Sequence, residues 1–237
     1  MKIVRTHDSF YKSEFFGGKQ SFDEITRLIE TRYKQNKNKL KFIDIGCAAG
    51  EFPNVIQSYF PELEVLGVDF LAELVDEARK RFPQIAFKQG NVLDSYLFED
   101  NYADIITIIG VLSIFDDINP VIVNVSKWIK PGGVVFYHGM FNPHPIDVYV
   151  KYQLSEHRQF DEIESGWNII SQETFSDICI KNGANKVLFH PFVMKRDISA
   201  NPNDPIRSWT ETLKDGQRQI VNGLHLKQPQ YIAEVTY

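Results

Sequence analysis

The sequence predicts an α/β fold, a doubly wound and largely parallel sheet with irregular additions. Three observations carry this. Between residues 40 and 138, short apolar runs alternate with amphipathic helical stretches, the rhythm of parallel strands joined by crossover helices. Residues 103–111, ADIITIIGV, form an unbroken apolar run, as expected of a strand covered on both faces. The first run, 40–45, leads directly into DIGCAAG, a strand ending in a glycine turn.

The elements follow in order. Residues 22–35 read as a helix, with Phe22, Ile25, Leu28, Ile29 and Tyr33 on one face and Ser21 as the N-cap before Glu24. The strand at 40–45 comes next. A helix at 52–60 is stopped by Pro61, and a strand at 64–70 leads to a second helix at 71–82, with Leu71, Leu74, Val75 and Ala78 spaced for burial. Strands at 85–89 and 103–111 precede a helix at 119–130, a KPGG turn at 130–133 and a strand at 134–138 that ends on His138. Periodicity then fails over 139–170 and resumes with a helix at 172–181, a strand at 185–193 and a closing strand at 229–237. The expectation is one domain over 1–237, with its core at 22–140, 172–194 and 229–237. Segments 1–20, 141–170 and 196–228 then form a lid around the ligand site.

Bulk properties narrow the function. The chain has 237 residues and a net charge of −5, which disfavours a large nucleic-acid footprint. The start, MKIVRTHDSF, lacks the apolar core of a signal peptide, and no apolar run approaches a bilayer span. The two cysteines, Cys47 and Cys179, fit a reducing cytoplasm better than a disulfide. The six histidines show no tight metal-ligand spacing.

Ligands of such sheets sit at the carboxyl ends of the strands, where the turn 46–50 lies. Asp69 ends the next strand, 19 residues after Gly50, the spacing at which an acid holds a ribose diol. A nucleoside site follows, and either a dinucleotide or S-adenosylmethionine satisfies it. From Phe42 to Ala78 there is no Lys, Arg or His, while eight carboxylates occur. That setting suits a sulfonium ligand without phosphate, although helix amides alone can hold a phosphate.

The segments FIDIGCAAGEF, VLGVDF, FKQGNVLD, ADIITIIGVLSIF and WIKPGGVVFYHGMF occur in this order. Together they resemble the class I S-adenosylmethionine-dependent methyltransferase family, closely over residues 40–140 and by element order beyond. The resemblance implies a Rossmann-like, seven-stranded mixed sheet of order 3-2-1-4-5-7-6, with the last strand antiparallel. It also implies that Asp44, Gly46, Cys47, Ala48 and Gly50 frame the methionine part of S-adenosylmethionine, and that Asp69 holds the ribose. Phe70, Asn91 and Val92 would then lie by the adenine, and Ile109 and Gly110 under the sulfonium. Ala48 stands where the commonest form has a glycine, and Asn91 where an Asp is usual.

The resemblance names no acceptor. After the fourth strand the chain reads IGVLS, not the Asn/Asp-Pro-Pro-Tyr of amino-methyltransferases of DNA or of protein glutamine. A small polar acceptor is expected, with its hydroxyl on a sugar, a nucleotide-linked compound or a phosphate ester, as in bacterial surface-polysaccharide pathways. N-methylation, nicotinamide-dependent oxidoreduction and non-catalytic cofactor binding are the alternatives. A hydroxyl acceptor needs a base, and histidine suits neutral pH. His138 is the first catalytic candidate and His144 the second. Tyr11, Tyr149, Lys151 and Trp167 are the substrate-pocket candidates. The expected assembly is a cytoplasmic monomer or homodimer, with no metal, nucleic-acid or membrane partner.

Overall fold

The computed structural model describes residues 19–33, 40–155 and 163–237. In chain order the elements are α1 (Gln20–Tyr33), β1 (Lys41–Ile45), α2 (Glu51–Tyr59), β2 (Glu64–Asp69), α3 (Ala72–Arg81), β3 (Ala86–Gln89), β4 (Ala103–Ile109), α4 (Asn119–Trp128) and β5 (Ile129–Asn142). There follow the two-residue strands β6 (Lys151–Tyr152), β7 (Glu164–Ser165) and β8 (Ile170–Ser171), then α5 (Gln172–Lys181), β9 (Lys186–Pro191), β10 (Trp209–Thr212), β11 (Arg218–Val221) and β12 (Gln230–Thr236). Among the described residues no helix is long and apolar enough to cross a membrane.

The sheet runs β3-β2-β1-β4-β5-β12-β9, with β8 added at the end of β5. Strands β1 to β5 pair in parallel, whereas β12 is antiparallel to both β5 and β9. Counting β9 and β12 as the sixth and seventh strands gives the expected order 3-2-1-4-5-7-6.

Alternation along each strand divides the core in two. Phe42, Val65, Ile105, Val134 and Phe136 face one side, under Phe22, Ile25 and Ile29 of α1, Phe52 and Ile56 of α2 and Val75 and Ala78 of α3. Ile43, Ile45, Ile106, Ile108, Val135 and Tyr137 face the other, under Val121, Ile122, Val125 and Trp128 of α4 and Phe175 and Cys179 of α5. This two-sided cover is why the run in β4 is apolar throughout.

Three local expectations change. Ser21 is not an N-cap: α1 already includes Gln20, and Ser21 is buried in its first turn. Strand β5 does not end at His138 but continues to Asn142, because β12 pairs with it through Met140 and β8 supports its last two residues. The polar segment after β9 contains a hairpin, β10 with β11, whose four-residue strands are too short to leave a readable period.

Segments remote in sequence tie the fold together near its carboxyl edge. The Gln20 side chain donates from Nε2 to the Val193 carbonyl (2.7 Å) and accepts at Oε1 from the Lys195 N–H (2.7 Å). Lys195 also reaches Glu24 (3.0 Å). The insert after β5 docks on the loop after β4 through Asn168, which donates to the Phe115 carbonyl (2.9 Å) and to Asp116 (3.1 Å). Gln20→Ala would leave both backbone groups of the 193–195 segment unpaired. The expected loss is about 1–3 kcal/mol, read as a lower urea midpoint at unchanged slope.

Candidate functional site

A cavity of about 660 Å³ opens at the carboxyl ends of β1, β2 and β4, within the roughly 300–1,000 Å³ usual for small-molecule sites. Its floor is the loop after β1. Gly46 and Gly50 adopt φ of +79° and +87°, and neither position tolerates a side chain. A Cβ on Gly46 would meet Val111 Cγ2 at 2.3 Å, and one on Gly50 would meet Phe87 Cζ at 2.8 Å. Between them Ala48 carries a methyl at φ +47°, in the left-handed region that costs an L-residue about 1–2 kcal/mol.

Asp69 fixes this loop. Its Oδ2 accepts the Ala48 N–H and its Oδ1 accepts the Leu71 N–H, both at 2.9 Å. The carboxylate is thus oriented from both sides, and Asp69 lines the cavity. Phe70 is partly exposed at the mouth. Asn91 lines the cavity too, with its Oδ1 taken by the Leu93 N–H (2.9 Å). Beside it Val92 is buried, and its carbonyl accepts from Asn124 (2.9 Å).

The structure brings Gly46, Ala48, Asp69, Phe70, Asn91, Val92, Ile109, Gly110, His138 and Trp167 to the cavity wall. Asp44, Cys47 and Gly50 lie behind the loop instead. Asp44 is buried and accepts from Thr107 Oγ1 on β4 (2.7 Å). Burial raises its carboxyl to about 7. Burial likewise pushes the Cys47 thiol well above its usual value, so the residue acts as a small apolar filler.

His138 sits level with the end of β4: it pairs with Ile109, and its carbonyl accepts the Gly110 N–H (2.8 Å). Its ring meets Phe192 edge to face, with centroids 5.1 Å apart. Nε2 is buried without a hydrogen-bond partner among the described residues. Burial, aided by the Lys19 charge, lowers the imidazole to about 4, so the ring is neutral at pH 7. Trp167 holds φ +63°, a strained setting for a bulky residue beside a cavity.

The remaining candidates are elsewhere. His144 is exposed, with its N–H on Asn142 Oδ1 (3.1 Å), and does not line the cavity. Tyr149 is exposed. Lys151 is bound to Asp116 and to Ser165 Oγ (2.8 Å) and serves the docking of the insert. Tyr11 lies outside the described residues.

Sequence reasoning expected segments 1–20 and 196–228 around the site but named none of the residues that form a second wall. Lys19, Arg196, Arg207, Ser208, Gln228 and Gln230 line the cavity from the start of α1 and from the segment between β9 and β12. The absence of cations between Phe42 and Ala78 therefore does not make the site free of them. The available signal was the polar composition of 196–228, but nothing local indicates which of its side chains face the cavity.

Residues 43–135 match a family model described as a methyltransferase domain. A trans-aconitate 2-methyltransferase from Methylobacterium nodulans is 35% identical over 52 residues, 22% of this chain and 20% of that protein. The chain spans between 20% and 40% of the length of the curated relatives it matches. The CurJ carbon methyltransferase superposes with a TM-score of 0.61 at 11% identity, covering 91% of this chain and 53% of that one. YcgJ from Bacillus subtilis gives 0.57 at 15% identity, covering 90% and 98%. At these identities the two structures establish the shared fold.

Opposed pKa displacements at Asp44 and His138 make a pH prediction. Asp44, raised to about 7 from 3.8, makes the folded state bind the extra proton, so its contribution falls as pH rises through that window. His138, lowered to about 4 from 6.5, makes the unfolded state bind the extra proton, so its contribution falls as pH drops from 6.5 towards 4. Each supplies a slope approaching 1.4 kcal/mol per pH unit, and the two largely cancel. Denaturation of His138→Gln between pH 4 and 6.5 should show stability falling with rising pH relative to wild type, and Asp44→Asn the reverse trend.

Proposed function

We propose that the chain, whose residues 43–135 match a methyltransferase-domain model on a sheet of the expected order, is a class I S-adenosylmethionine-dependent methyltransferase that methylates a hydroxyl of a small polar molecule. A sugar, a nucleotide-linked compound or a phosphate ester is the acceptor class. The whole of 1–237 would act as one domain, with 1–20, 141–170 and 196–228 around the acceptor. The observation that carries the reading is Asp69, held between the Ala48 and Leu71 amides at the mouth of the cavity. A small acceptor accords with curated relatives named for trans-aconitate.

The residues present fit the cofactor. Asp69 offers a fixed carboxylate for the ribose hydroxyls. The backbone at Gly46 can be approached closely, because no side chain fits there. Phe70, Asn91 and Val92 offer a flat apolar and amide surface for the adenine, and Ile109 with Gly110 forms the passage towards His138. S-adenosylmethionine supplies an electrophilic methyl group on a sulfonium.

Most of what the protein adds is positioning, with about 7–11 kcal/mol available in favourable cases. In this reading the acceptor oxygen stands level with the end of β4, where Phe192 and Met194 line the cavity beside His138. His138 then receives the acceptor proton at Nε2. A base held near 4 is weak towards a free hydroxyl. The same oxygen becomes far more acidic as it gains carbon, so the proton leaves late, when His138 suffices.

Asp69→Ala should weaken S-adenosylhomocysteine binding about 10–100-fold by titration calorimetry, the loss of a charge-assisted pair of hydrogen bonds; unchanged affinity would remove Asp69 from the ribose role. With labelled cofactor and a hydroxyl acceptor, His138→Ala should lower turnover about 10²–10⁴-fold and leave cofactor affinity nearly as it was. Full turnover in that variant would show that the proton goes elsewhere.

A further inference from the structure

The second wall of the cavity carries a polar cluster for which the methyl-transfer chemistry has no use. Lys19, Arg196 and Arg207 bring three cations to it, and Ser208, Gln228 and Gln230 add neutral polar groups. Arg207 is anchored by Nε to Asp204 Oδ2 (3.1 Å). The Asp204 side chain is only 2% exposed, so this guanidinium is held in place from beneath. Asp197, an acid on the same wall, is engaged by Arg218 (2.7 Å). The remaining lining acid, Asp69, ends β2 on the far side of β4.

Gln228 is the sharper observation. Its Oε1 accepts from Ser208 Oγ (2.8 Å) and from Gln230 Nε2 (3.5 Å), which sets the amide's orientation. Its Nε2 is then a donor with no partner among the described residues, on a side chain whose residue is 4% exposed. Leaving such a donor unsatisfied costs about 1–3 kcal/mol, and a ligand oxygen would recover it. Burial also holds the Lys19 ammonium below its usual pKa, so an anion beside it would be stabilising. A buried donor, an anchored guanidinium and a desolvated ammonium on one wall match the oxygens of a single anionic group.

We propose that Gln228, Arg207 and Lys19 form a subsite for an oxyanion, a carboxylate or phosphate group carried by the methyl acceptor. The anion's oxygens take the Gln228 Nε2–H and the guanidinium of Arg207, while Lys19 balances its charge. The inference rests on reading this cavity as the acceptor pocket. It narrows that reading to acidic acceptors and makes the segment 196–230 the part of the chain that selects them.

The test is titration calorimetry on the full chain, with and without S-adenosylhomocysteine, using matched pairs: small carboxylates against their amides, and phosphate monoesters against their parent alcohols. The charged member of at least one pair should bind more tightly than its neutral counterpart by about tenfold or more, equivalent to 1.4 kcal/mol. The carboxylate and phosphate arms identify which oxyanion is preferred. Gln228→Glu keeps the oxygen that Ser208 uses and replaces only the unpaired donor. It should weaken anion binding by about tenfold or more, with melting temperature and S-adenosylhomocysteine affinity retained. Arg207→Gln should act in the same direction. The proposal is overturned if neutral members bind as well as charged ones, if no member binds, or if Gln228→Glu binds anions like wild type. Failure of the methyltransferase reading would appear separately, as anion binding without any response to S-adenosylhomocysteine.

Discussion

The site depends on one carboxylate. Asp69 accepts an amide hydrogen from the loop after β1 and another from the residue that precedes α3, so two crossover connections are set by the same side chain. Each bond is charge-assisted and stronger than a neutral one. Because Asp69 is the last residue of β2, its position is fixed by the ladder to β1 and β3. The sheet thereby dictates where the loop amides stand, and the loop dictates which ligand edge they meet. Gly46 and Gly50 complete the constraint, since the chain turns where neighbouring side chains leave no room for a Cβ.

The two halves of the cavity are built by different physics. The cofactor half comes from strand ends within one parallel sheet, so its parts lie close in sequence and their spacing is stereotyped. The other half is assembled from the start of α1, the segment after β9 and the approach to β12. It is held by side-chain bonds such as Gln20 to Val193 and Ser208 to Gln228. Few regular elements stabilise it, so its geometry rests on individual polar contacts. A fold can keep the first half and rebuild the second, which is how one scaffold serves many acceptors.

Legibility in the sequence follows that division. The core strands and the place of Asp69 could be read because burial on two faces writes long apolar runs and because a turn without room for side chains writes glycine, whereas the strand order came only from the family resemblance. His138 was found at the cavity, yet the end of β5 was misplaced by four residues, because cross-strand support from β12 and β8 leaves no mark on local pattern. Lys151 looked like a pocket cation and proved to be the partner of Asp116; the sequence shows a charge but not its counter-charge 35 residues away. Lys19, Arg207 and Gln228 went unnoticed for the converse reason, since their meaning arises only when segments about 200 residues apart share a wall.

The Gln20 clip has a mechanical consequence. One amide joins the start of α1 to the chain after β9 through a donor and an acceptor at once, and residues on either side of the clip, Lys19, Met194 and Arg196, line the cavity. Separating those two segments breaks both bonds. The clip therefore couples the two segments, so that displacement of either one is opposed by both bonds together rather than by each in turn.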